Sequence, residues 1–340
     1  MYFKTIIQGR LSFANTKSYE KVVKMFEYRA ETYYKSDVLL ALEDIFNRES
    51  LTLTVPRYVG NASDKSFKNT VNLLEYCAQF AVSGSIDAWM IDEGKVIQSR
   101  EIQPQSDKAA VQQFLKGDKL FGQAGKESEA IEAFNKTLET YEKHAQAYER
   151  RGYVNLHLRN YSDALYDFNK AIKLDDSIAY AYYGKAIIAR HENNLEEAIV
   201  NFEHTLKKSV ALQSLYWKAR LRKSMCHIEL EQWDKADFDL KFFTNRKFKE
   251  GSKNDNRKAQ AFSLYGKVLY EKEEFDKALS ALDRAVEIHH EDSKGFDLTE
   301  TLFLRGLVKK ELGKKDAMVD INKAAKAGLH EAVEYVAANG

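Results

Sequence analysis

Apolar positions along this chain obey two different periods, and the change falls near residue 103. Before it, short β-branched runs alternate with helical stretches. After it, Ala, Leu, Tyr, Glu and Lys recur at three- and four-residue spacing almost to the end. The second part also matches itself at a shift of 34 residues. Over 145–178 the marks are Tyr148, Gly152, Tyr161, Ala164, Phe168 and Ala171. Over 179–212 the same slots hold Tyr182, Ala186, Leu195, Ala198, Phe202 and Thr205, and over 259–292 Phe262, Gly266, Phe275, Ala278, Leu282 and Ala285. Residues 217–250 supply Ser224, Trp233, Ala236, Leu240 and Phe243. Weaker copies flank these, with Gly117, Ala130 and Phe134 on one side and Gly306, Ala317, Ile321 and Ala324 on the other.

Each copy carries two apolar stripes separated by a polar turn, such as RNYSD (159–163) or ENNLEE (192–197), and this predicts antiparallel helix pairs. Helices of about 13 residues span roughly 20 Å. They pack closely only where small side chains meet at the crossing and larger ones fill the gaps beside them. Gly152 and Ala164 are therefore predicted contact residues, and Phe168 a wedge. A bulky side chain at Gly152 is expected to cost about 1–3 kcal/mol by overpacking. One pair cannot bury its apolar face alone, so the pairs must stack.

These marks resemble the tetratricopeptide repeat (TPR) family over residues ~110–340, most closely at 145–178 and 259–292. The resemblance implies an α-solenoid of about six helix pairs, closed by a capping helix over LHEAVEYVAAN (329–339). The family's proline at the end of each repeat is missing. Insertions at 213–216, 251–258 and 293–298 make the later repeats less regular.

The first hundred residues follow other rules. YFKTIIQGRLSF (2–13) reads as a strand and 18–34 as a helix with Val22, Phe26 and Ala30 on one face. LTLTVPRYV (51–59) alternates as a strand should, and Pro56 suggests an edge. Residues 64–82 are helical, with Val71, Leu74, Cys77 and Ala78 together. SIDAWMI (85–91) and KVIQSREI (95–102) flank a hairpin signal at Asp92-Glu93-Gly94. DVLLALEDIF (37–46) fits a strand or a helix. As a strand it completes a β-α-β-β-α-β order plus one strand, the ferredoxin-like arrangement, which we favour; as a helix it leaves a smaller α+β sheet. The expected division is a small α+β domain over 1–103 and the repeat array over 110–340, joined through QPQSDK (103–108).

Composition narrows the chemistry. Lys plus Arg (52) nearly cancels Asp plus Glu (51), so no global field draws nucleic acid or an acidic membrane. The start, MYFKTIIQGRLSF, lacks the apolar core of a signal peptide, no run is long and apolar enough for a membrane span, and two cysteines make no disulfide framework. A cytoplasmic setting is expected. All eight His lie beyond residue 143, so the non-repeat part lacks the commonest general base. Cys77 reads as a packing residue, Asp87, Asp92 and Glu93 as a solvated turn, and His289-His290 with Glu291 and Asp292 as a loop cap. No phosphate loop, dinucleotide-binding, zinc-protease or serine-hydrolase motif is present. Catalysis, cofactors and metals are therefore not expected. Residues 217–258 hold twelve Lys or Arg against seven Asp or Glu, which reads as a solvated rim, or more sharply as a site for a phosphate or acidic partner.

The resemblance implies where a partner would bind. In this family the first helix of each pair lines a groove for peptides or helices, and that face falls here on Gln146, Glu149, Tyr153, Leu156 and His157, then on Tyr180, Tyr183, Ile187, Arg190 and His191. It continues through Lys218, Leu221, Met225, Ile228 and Glu229 to Gln260, Ser263, Lys267, Tyr270 and Glu271. The Lys/Asn/Lys/Arg clamp that one subfamily uses for a C-terminal carboxylate is not expected, because Glu149, Tyr153, Tyr180 and Gly184 stand in its places. The expected function is a non-enzymatic interaction scaffold or adaptor with a protein or peptide partner, open to self-association or a place in a larger assembly. The alternative is an enzyme or nucleotide sensor with its site in 1–103 and the repeats recruiting its target.

Overall fold

Strand β1 (Phe3–Ser12) is the middle of a five-stranded antiparallel sheet in the order β2-β3-β1-β4-β5. It pairs with β3 (Thr52–Ala62) on one side and β4 (Ser83–Asp92) on the other. β2 (Phe46–Asn47) adds a two-residue stub to β3, and β5 (Lys95–Ile102) closes the far edge. Helices α1 (Thr16–Tyr28) and α3 (Asp64–Ala78) bury Val22, Phe26, Phe67, Val71 and Leu74 against Ile7, Leu11, Leu53, Ile86 and Met90. This is the β-α-β-β-α-β order with an added strand. The computed structural model describes residues 1–289 and 296–339.

The segment 37–46 is mostly irregular, with one helical turn, α2 (Leu42–Ile45), before the β2 stub. It is tied to α3 as a loop. Ser66 Oγ and Asn69 Nδ2 donate to Asp37, and the Leu39 N–H donates to Thr70 Oγ1 at 2.9 Å. Pro56 follows the last pairing of β3 with β2 and lies opposite the irregularity in β1 between Ile7 and Gly9, where its missing N–H removes no ladder bond. The β4–β5 turn has positive φ at Glu93 (45°) and Gly94 (79°), the combination a tight primed hairpin needs.

Antiparallel helix pairs follow: α4 (Ala109–Leu120) with α5 (Glu127–Thr140), α6 (Ala145–His157) with α7 (Tyr161–Leu174), and α8 (Ala179–His191) with α9 (Leu195–Lys208). Next come α10 (Ser214–Glu229) with α11 (Trp233–Thr244), α12 (Lys258–Glu271) with α13 (Phe275–Glu287), and α14 (Thr299–Glu311) with α15 (Ala317–Lys326); α16 (His330–Asn339) ends the array. α10 begins at Ser214, so most of the 213–216 insertion is helical. The expected loop cap at His290, Glu291 and Asp292, and most of the 293–298 insertion, lie outside the described residues.

The small-residue pattern acts as the periodicity requires. A Cβ on Gly152 would stand 2.8 Å from Phe168 Cε1, on Gly117 2.6 Å from Phe134 Cε1, and on Gly266 2.5 Å from Leu282. The wedges Phe134, Phe168, Phe202, Leu240, Leu282 and Ile321 are all fully buried. The first helices of five pairs end on the same motif, in which a left-handed residue (Arg159, Asn193, Glu231, Glu273 or Gly313) lets the next N–H reach back to close the helix.

The chain forms two compact units, Met1–Gly184 and Lys185–Gly340, with the division inside α8. Within the first, the sheet is fastened to the helices. Arg10 Nη1 donates to the Leu174 carbonyl at 3.1 Å, the Gly84 N–H donates to Gln146 Oε1 at 2.8 Å, and Lys108 Nζ donates to the Phe80 carbonyl.

Candidate functional site

In Met1–Gly184 the face expected to bind is largely occupied by the chain itself. Gln146 accepts the sheet's Gly84 N–H. Glu149 is buried and paired with Arg150 at 3.0 Å, whose Nε also reaches Asp118 at 2.8 Å. Burial pushes the Glu149 carboxyl up, and the Arg150 guanidinium opposes that shift. Tyr153 is half-buried, and its hydroxyl donates to the Tyr180 carbonyl at 2.7 Å. Its ring meets Phe168 edge-on at 5.1 Å and Tyr180 at 6.3 Å, so Tyr153 is a strut between neighbouring helices. Tyr183 is buried, whereas His157 and Tyr180 are exposed.

In Lys185–Gly340 the corresponding faces are mixed: Leu221 and Ile228, expected on the face, are buried in the core with Leu240 and Phe243, while Glu229 and Glu271 are exposed. Ile187 is half-buried and His191 exposed. Arg190 Nη2 reaches Glu229 Oε1 at 2.6 Å, a bridge between α8 and α10. Lys267 is exposed, and Tyr270 is half-buried beside Phe275. At Lys218 cations gather. Burial holds its ammonium below the usual lysine range, and Arg257, Arg222 and Lys253 add to that shift. Arg222 follows one helical turn later on α10, while Lys253 and Arg257 come from the 251–258 insertion. That insertion is built, not loose. Arg257 Nη1 donates to the Lys253 carbonyl at 2.9 Å and to Asn254 Oδ1 at 3.0 Å, and Ser214 Oγ bonds the buried Asn254 at 3.2 Å. The family resemblance implies Lys218 as a face residue, whereas its three neighbours are legible in the sequence only as a basic stretch.

A set of buried ion pairs lies outside the small-residue pattern. The residue before the wedge is Asp in three repeats, and each is buried against an Arg of its pair's first helix. Arg151 forks onto Asp167 (2.7 and 3.0 Å), Arg305 onto Asp320 (both 2.8 Å), and Arg220 meets Asp239 at 2.6 Å. The signal was available as the dipeptides Asp167-Phe168, Asp239-Leu240 and Asp320-Ile321 at one repeat offset.

Elsewhere little chemistry is assembled. Burial pushes the Cys77 thiol up to about 12 and the Cys226 thiol up to about 11, which keeps both protonated. His227 is buried and bonded to Gln232 at 2.9 Å. Asp87 corrects the turn reading: it lies inside β4, directly across from Glu101 on β5, and burial with that carboxylate raises it to about 6. Among the described residues no group of three His, Cys, Asp or Glu is placed to hold a metal ion, and no helix is long and apolar enough to cross a membrane. A cleft of about 800 Å3 by α12 and α13 mixes Phe262, Tyr265 and Leu279 with Asp276, Lys277 and Arg284, with no one charge prevailing.

Helix pairs closed by glycine-to-wedge contacts, each unable to bury its faces alone, define a repeat protein of the α-solenoid class. Residues 119–177 and 159–203 match the tetratricopeptide repeat family, and helix pairs of the same kind continue beyond them to Lys326. The structure of YrrB, described as a TPR protein with an unusual peptide-binding site, is similar with a TM-score of 0.50 at 22% identity, covering 61% of this chain and 98% of its own. PilF of Pseudomonas aeruginosa gives a TM-score of 0.53 at 15% identity, covering 68% and 98%. Comparison with curated proteins gives no significant sequence match.

Proposed function

We propose that this protein is a non-enzymatic interaction scaffold, and that the first-helix faces of Lys185–Gly340 hold an anionic segment of a protein partner. The observation that carries this is the gathering of Arg222, Lys253 and Arg257 around Lys218 on a fixed scaffold. A carboxylate-rich segment is complementary in charge to such a gathering of cations and is steered towards it. Ile187, beside the Arg190–Glu229 bridge, offers an apolar contact on the same set of helices. The fold similarity to a peptide-binding TPR protein supports the class of ligand. Tyr183 and Tyr153 serve packing in this reading, and Lys267, Tyr270 and His191 supply the margin.

The test uses the full chain immobilised in lysate of its own host, with captured proteins quantified by mass spectrometry. Lys218→Glu with Arg222→Glu is expected to reduce retention of at least one specific partner about tenfold, roughly 1.4 kcal/mol. Melting temperature should stay unchanged. Undiminished capture by a folded double variant sinks the reading.

A further inference from the structure

The outward face of α11 departs from the polar surface that an outer helix normally shows. Phe238 and Phe242, one turn apart, are 63% and 51% exposed. They are nonetheless held in place from beneath. Phe242 stacks on the buried Trp217, with ring centroids 6.3 Å apart and planes 20° from parallel. The Arg220 guanidinium lies 4.7 Å from the Phe242 centroid and 5.9 Å from that of Phe238. Arg220 is itself fixed, donating to Asp239 Oδ1 at 2.6 Å and Tyr216 Oη at 2.8 Å, and Trp217 Nε1 donates to the Ala211 carbonyl at 2.7 Å.

Aromatic rings that face solvent while packed on a fixed Arg lose less rotamer freedom on binding than unsupported ones do. Aromatic side chains packed on Arg are also the residues that dominate interface energetics. The rim sets the partner's sign. Lys235 and Lys241 flank the rings on α11, Arg246 lies 5.8 Å from the Trp217 ring, and Lys247 and Lys249 follow. The acids of α11 are already paired, Asp239 with Arg220, and Asp237 and the exposed Asp234 both with Lys272 at 2.8 and 2.9 Å. A second copy of the chain would bring the same basic rim against this one, which like-charge repulsion disfavours.

We infer that the Phe238–Phe242 face of α11 is a second docking surface, separate from the Lys218 face, for an acidic protein segment that carries large apolar side chains. The test is fluorescence anisotropy on the full chain with a labelled 16-residue peptide of Glu, Leu and Trp, beside its counterpart with Lys in place of Glu. The acidic peptide is expected to bind, with affinity falling as salt rises. Phe238→Ser with Phe242→Ser should weaken it at least tenfold when introduced into the Lys218→Glu/Arg222→Glu background, where the first-helix face no longer attracts the peptide, and the Lys peptide should not bind. Should the Phe double variant melt early because Phe242 leaves Trp217 uncovered, Phe238→Ser alone is read, with a threefold or greater weakening expected. Wild-type affinity in the Phe variants, or equal binding of the Lys peptide, overturns the inference. A dimer that the Phe variants convert to monomer in sedimentation also overturns it, by making a second copy the occupant. Loss of binding only in the Lys218 variant overturns it as well and leaves the first-helix reading standing.

Discussion

At the scale of single residues, burial sets the pH response. His144 is buried just ahead of α6, its Nδ1 accepting the Ala147 N–H at 3.2 Å while its ring packs 4.6 Å from Phe114. Burial pushes its pKa down to about 3. An unfolded histidine titrates near 6.5, so below that value the unfolded chain binds a proton that the folded chain refuses. Stability from this group is therefore complete above about pH 6.5 and is lost towards pH 3, at roughly 1.4 kcal/mol per pH unit. His144→Asn retains a side-chain oxygen for the cap but cannot titrate. Its urea-unfolding stability measured from pH 7 to 4 is expected to fall less steeply than the wild type's, by about one proton. Parallel slopes would show that His144 does not titrate as its burial implies. Asp87 has the opposite sign. With its folded pKa raised to about 6, its contribution is full below the unfolded value near 4 and is lost as pH rises through 6.

At the scale of elements, the helix pair depends on the meeting of a glycine and a wedge. Phe168 is wholly buried and lies against both Gly152 and Gly184, so one ring serves the helix of its own pair and the next. Gly152→Val is expected to lower stability by about 1–3 kcal/mol through overpacking. Adding Phe168→Leu should recover part of that loss, because the smaller side chain vacates the space the valine needs. Denaturant melts of both single variants and the pair give the coupling directly, and strict additivity would show that the two residues do not meet. The Arg151–Asp167, Arg220–Asp239 and Arg305–Asp320 bridges belong to this scale too. They tie each pair's two helices together next to the wedge, where a lone buried carboxylate would be costly.

At the scale of the molecule, the sheet and the first helix pairs form one unit, Met1–Gly184. Arg10 and Gln146 each make a bond across that junction, and Gln146 thereby engages a side chain that the family resemblance implies for the partner face. Arg10→Ala with Gln146→Ala is expected to raise trypsin cleavage in the 103–108 connector several-fold without altering the far-UV circular dichroism. Unchanged cleavage would mean that these two bonds do not hold the sheet to the helices.

The helical part was legible because its signal is local and repeated. Spacing of Gly152, Ala164 and Phe168 along one chain already fixes which residues meet, since consecutive helices pack on their sequence neighbours. The strand order was legible for a similar reason, except at 37–46. There, the hydrogen bonds that Ser66 donates to Asp37 and that the Leu39 N–H donates to Thr70 outweigh a pattern that suits either period. What periodicity does not encode is which polar side chains converge from distant segments. Nothing local announces that Lys253 and Arg257 fold back towards Lys218, that Asp87 faces Glu101 across a ladder, or that Arg220 reaches beneath two exposed rings. Repetition of small residues determined the scaffold. The surfaces that distinguish this chain were decided by tertiary packing, because charge and exposure depend on neighbours that sequence distance conceals.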